Sequence, residues 1–95
     1  MLKSLEKNVV IIYNDSMKSI DKVIAKFRAS QFGHTFEECK KVLEFLGFKE
    51  TGSKGSHHKF TKDGLNRPFI LAKHRPIDPA AINDILKLIN KETEL

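Results

Sequence analysis

The sequence predicts a two-layer α+β domain: a three-stranded antiparallel sheet with helices packed on one face, and an extra helix on the N-terminal side. Three observations predict it. Apolar residues recur three and four apart over residues 16–30 and again over 36–46, the pattern changes to two-residue alternation past Gly47, and an Asp-Pro pair opens a last amphipathic run. At 95 residues the chain holds one such core and not two.

The first helix is "SMKSIDKVIAKFRAS", residues 16–30, in which Met17, Ile20, Val23, Ile24 and Phe27 make one apolar stripe. The second, about 36–46, begins after Thr35 with Glu38 three residues on, the signature of a capping box. It turns Phe36, Cys39, Leu43 and Leu46 to one side and ends at Gly47. "FKET" then reads as a short strand and "GSKG" as a flexible turn. In "SHHKFTK" the alternation puts His58 and Phe60 on one face and His57, Lys59 and Thr61 on the other. "DGLN" reads as a hairpin turn and "RPFILAK" as a third strand, with Pro68 near its start or on an edge. Asp78 caps the last helix, Pro79 occupies its first position, and Ile82, Ile85, Leu86 and Ile89 form its stripe.

Composition removes several classes of function. No apolar run approaches the roughly 18 residues of a membrane span, and the Val9–Tyr13 stretch lacks the length and flanks of a signal peptide. The only cysteine, Cys39, falls on the apolar side of a helix and has no partner for a disulfide or thiolate metal site, which fits a reducing cytoplasm. There is no P-loop, dinucleotide fingerprint or nucleophile elbow. Adjacent histidines on a strand point to opposite faces, so His57, His58 and His74 do not read as a metal site, and no cofactor is implied.

Charge points to a polyanion. Between Lys54 and Arg75 six basic side chains stand against one acidic, Asp63, so this stretch holds the whole +5 excess of the chain, together with three of its four histidines. The stretch "KGSHHKF" is the densest part. Histidine changes charge near neutral pH, so an exposed histidine beside cations can serve as acid or base in phosphodiester cleavage. The alternation sends His57 to the open side with Lys59, where the ammonium group could neutralise a phosphate. Gly55 and Ser56 allow close backbone approach and offer N–H or hydroxyl donors, with Lys54 beside them. Surface histidines and solvated lysines would produce the same pattern.

The run "FEECKKVLEFLGFKETGSKGSHHKFTKDGLNRPFILAKHRPIDPAAINDILKLI" resembles the HicA family of toxin–antitoxin modules. The likeness is carried by "LEFLGF" closing a helix, "GSHHKF", "LAKH" ending a strand, and a final helix behind a Pro-containing loop. The resemblance implies a double-stranded-RNA-binding-domain-like fold and a small endoribonuclease that cleaves mRNA without a metal. It also implies inhibition by a cognate HicB antitoxin. The family's catalytic histidine follows the Gly-Ser turn, which here falls on His57, with His58 as the alternative because the turn varies by a residue within the family. Lys54, Gly55, Ser56, Lys59, Lys73 and His74 then become the RNA-binding set. On this reading residues 35–92 form the HicA-like catalytic domain and 1–34 an N-terminal extension with its helix near 16–30. "MLKSLEKNVVIIYND" has no counterpart in the family, and its "NVVIIY" is a candidate to pair with a sheet edge. The competing readings are a non-catalytic RNA-binding module, which would hold RNA by shape and phosphate contacts, and a protein-interaction domain for an acidic partner.

Overall fold

The structure, a computed structural model, describes residues 19–93. The order is α1 (Ser19–Ala29), α2 (Phe36–Phe45), β1 (Lys49–Lys54), β2 (His57–Thr61), β3 (Phe69–Ala72) and α3 (Pro79–Thr93). β2 is central, antiparallel to β1 on one side and to β3 on the other. From α2 onward this is the α-β-β-β-α order of a double-stranded-RNA-binding-domain-like fold, with α1 added in front. The expected positions of Met17 and the "NVVIIY" segment lie outside the described residues.

Helix α2 is held at both ends by its own sequence. Glu38 N–H donates to Thr35 Oγ1 at 3.1 Å and Thr35 N–H to Glu38 Oε1 at 3.0 Å, so the predicted capping box is formed. At the other end Gly47 takes φ +100°. Its N–H donates to the Glu44 carbonyl at 3.0 Å while the Phe48 N–H reaches the Leu43 carbonyl at 2.9 Å, the paired bonds of a Schellman motif. These caps fix where Phe36 stands, at the start of α2 against the sheet.

The core lies between the helices and the inner face of the sheet. Phe60 and Leu71 come from the strands, Cys39, Val42 and Leu43 from α2, and Ile82, Ile85 and Ile89 from α3. α1 adds Val23 and Phe27 and is tied across by Lys26 to Glu38 and by Arg28 to Asn90 Oδ1 at 3.2 Å. Burial pushes the Cys39 thiol up to about 12, so it stays protonated as an apolar side chain. Asp78 Oδ1 accepts the Ala80 N–H at 2.9 Å, which starts α3 at Pro79 as the sequence implies.

Two connections differ from the expected ones. The "GSK" residues are not a flexible turn; β1 continues through Lys54, and only Gly55 and Ser56 lie outside the strands, with Gly55 at φ +59°. The β-ladder gains more by pairing Ser53 with His58 and Lys54 with His57 than the chain gains by leaving them free. The link from β2 to β3 is longer than a tight "DGLN" hairpin. It closes a turn from Leu65 N–H to the Lys62 carbonyl at 3.1 Å and reaches β3 only at Phe69, because Pro68 has no N–H to give to the ladder.

A bulge separates Glu50 from Gly52. Glu50 lies opposite Phe60 and faces the helices, whereas Gly52 and Lys54 lie opposite Lys59 and His57 and face away. In a strand alternating regularly through Thr51 these positions would share a face; the bulge separates them. Phe60→Ala would empty the centre of this sheet–helix contact and should cost about 3–5 kcal/mol of stability, measured by urea unfolding.

Candidate functional site

The ladder divides the "GSHHKF" residues between two faces of β2. His57 and Lys59 are exposed on the open face, where with Gly52, Ser53, Lys54 and Ile70 they border a shallow depression. His58 turns to the helix side at the hairpin end of the sheet. Its ring lies 4.7 Å from that of Phe36 and is tilted by 53° to it. Its side chain is 16% exposed, against full burial for Phe60 two residues on, so His58 marks the margin of the core.

His58 has a carboxylate partner. Its Nδ1 is 2.6 Å from Glu50 Oε2, and the other Glu50 oxygen takes the Lys40 ammonium at 3.1 Å. The bond from His58, then that from Lys40, holds the Glu50 carboxyl below its ordinary range. An ionised Glu50 accepts at Nδ1, which leaves Nε2 to carry the lone pair in the neutral ring. Nε2 has no hydrogen-bond partner among the described residues, yet the one buried side-chain nitrogen without a partner among them is His34 Nδ1. The Nε2 atom of His58 therefore meets solvent.

The remaining predicted residues do not gather at one place. Lys73 follows β3 on the same side as Leu71 and His58, and its ammonium stands 5.1 Å over the Phe36 ring. Its backbone N–H donates to the Ser56 carbonyl at 2.7 Å, which ties the Gly55-Ser56 turn to the end of β3. His74 lines a groove beside the start of α2. Lys73 and His74 therefore sit on the Phe36 side, while Lys54, His57 and Lys59 sit on the open face, and the sheet separates the two groups.

Sequence reasoning passed over Glu50, Lys40 and Phe36. A glycine inside a strand signals a bulge, so Gly52 carried a local signal of one, but the partner that the bulge gives Glu50 is set by the sheet register. Phe36 was legible as a helix residue but not as a neighbour of His58. Among the described residues no three His, Cys, Asp or Glu side chains are arranged to hold a metal ion, and no helix is long and apolar enough to cross a membrane.

A family model described as HicA toxin of bacterial toxin–antitoxin matches residues 36–90, from the first residue of α2 to near the end of α3. The chain belongs to that family, on the toxin side of such modules, and membership implies an antitoxin partner. No curated protein and no solved structure matches the chain.

Because the Glu50 carboxyl is depressed in the folded state, its contacts stabilise the fold above the unfolded carboxyl's pKa and are lost as pH falls through the folded one. The Glu50 side-chain carboxyl, followed by carbon-13 NMR, should titrate below the ordinary glutamate range. It should move back up in His58→Ala and less so in Lys40→Met; an unmoved midpoint in His58→Ala would mean that the pair does not form in solution.

Proposed function

We propose that this HicA-family chain is an endoribonuclease that cleaves mRNA in the cytoplasm, uses a histidine and no metal for the chemistry, and is held inactive by a HicB-type antitoxin covering the site. The observation that carries the reading is the pairing of His58 with Glu50. A histidine whose Nδ1 is held by a carboxylate and whose Nε2 is open presents an oriented base, the arrangement general-base catalysis needs. His57, the residue implied by the family likeness, has no such partner. It stands among the open-face cations and suits a phosphate-holding role there with Lys54 and Lys59.

In the proposed reaction His58 Nε2 takes the proton of a ribose 2′-hydroxyl. The 2′-oxygen attacks the adjacent phosphorus, the bond to the 5′-oxygen breaks, and that oxygen leaves with a proton from water or from the imidazolium. The products are a 2′,3′-cyclic phosphate and a 5′-hydroxyl. Glu50 steadies the imidazolium formed along the way, and Lys73, over the same Phe36 ring that His58 contacts, offsets charge building on the phosphate. Gly55 and Ser56 form the turn over which the strand would pass. A catalytic His57 remains the second reading, supported by its exposure between Lys54 and Lys59.

Purified chain incubated with a long single-stranded mRNA in EDTA should cleave it. His58→Ala should lose about 10²–10⁴-fold in rate, the worth of one positioned base, while RNA binding persists. His57→Ala should keep its cleavage rate at saturating RNA and bind RNA more weakly. The reverse result would move the catalytic role to His57, and intact RNA in every lane would leave a non-catalytic RNA-binding module.

A further inference from the structure

The groove at the start of α2 has a composition that phosphate binding alone does not explain. Its volume is about 300 Å³, at the low end for ligand pockets, and it is enclosed by the turn before α2 on one side and by Lys73, His74, Arg75 and Pro76 on the other. Phe36 is shared: its ring meets His58 at 4.7 Å and also lines the groove, so an occupant would lie next to the proposed reacting phosphate. Three cationic or titratable side chains suit an anion. Glu37, exposed in the same wall, would repel one. Neither Glu37 nor Arg75 pairs with another described residue, so an acid and a guanidinium line the same groove without satisfying each other.

His34 adds a third polar feature. It is 4% exposed, and its Nε2 lies 2.6 Å from the Ser30 carbonyl, which must accept that nitrogen's proton. Nδ1 is then an acceptor in the neutral ring and has no hydrogen-bond partner; Glu38 Oε1 lies 3.6 Å from it. That nitrogen is buried, so the unpaired groups the groove itself offers are the exposed Glu37 carboxylate and the exposed Arg75 guanidinium.

We propose that this groove is a nucleotide subsite that takes guanine beside the scissile phosphate; as a subsite of the cleavage reaction it rests on the nuclease reading above. A carboxylate and a guanidinium together match guanine better than any other RNA base. Its N1–H and N2 amino group give a carboxylate adjacent donors, and its O6 and N7 accept the fork of an arginine. Adenine, cytosine and uracil offer no such pair of adjacent donors. Glu37 and Arg75 read the base, Lys73 and His74 hold its phosphate, and Phe36 supplies an apolar wall.

The test uses the full chain and the four 2′-deoxynucleoside 3′,5′-bisphosphates, which contain no internucleotide bond to cleave, so it reads binding whether or not the protein is a nuclease. Backbone amide NMR titrations should move the signals of Glu37, His74 and Arg75 and leave those of Lys59 and Ile70 in place. The guanine compound should bind tighter than the others by on the order of tenfold, near the low end for a bidentate base contact. Glu37→Gln, at an exposed position in the first turn of α2, should erase that preference with the fold intact. Equal affinity for all four bases, the same preference in Glu37→Gln, or shifts confined to Lys54, Lys59 and Ile70 on the open face would each overturn the proposal. Should guanine bind as described while wild-type chain leaves mRNA intact in EDTA, the groove stands and the nuclease reading falls.

Discussion

The structure depends on how β2 is paired. It is the central strand, with β1 on one edge and β3 on the other, so none of its residues can turn without breaking a ladder on both sides. Phe60 must face the helices because it fills the core, and His58, two residues before it, must follow. His57 must face away. The double histidine is therefore not one cluster but two separate positions. One is partly sheltered beside Phe36 and the other exposed on an open basic face.

Position alone would make His58 an ordinary margin residue; its carboxylate partner comes from β1. The bulge at Thr51 brings Glu50 to the helix face while leaving Lys54 on the other, so a single strand supplies a carboxylate to one side and a cation to the opposite one. The capping box then places Phe36 against the His58 ring, and the tie between Ser56 and Lys73 brings the end of β3 to the same corner. Four elements thus converge at the hairpin end of the sheet. Each is fixed by backbone hydrogen bonds or a cap rather than by a mobile loop, which suits a site that must hold a base in a set orientation.

Much of this fold was legible because its signals are local. The caps at Thr35, Gly47 and Asp78 and the stripes of Val23, Phe27, Ile82 and Ile85 depend on residues within one or two turns of each other, and the structure follows them. The alternation of His58 and Phe60 against His57 and Lys59 was equally plain. What was not legible depends on register. Whether "GSK" extends a strand or forms a turn is decided by what it pairs with, and Glu50 meets His58 only through a bulge. The pairing of His58 with a carboxylate, and the grouping of Lys73 and His74 away from Lys54 and Lys59, are consequences of the folded sheet that spacing along the chain does not contain.

The central claim is that Glu50 holds His58 with its Nδ1 protonated and its Nε2 free to take a proton. Nitrogen-15 NMR of the histidine side chains, at a pH where the rings are neutral, measures this directly. The account predicts that His58 is in the Nδ1–H tautomer and that Glu50→Gln or Glu50→Ala changes that state. A His58 ring carrying its proton on Nε2 in the wild-type chain would contradict it, because the atom proposed to accept the ribose proton would already hold one.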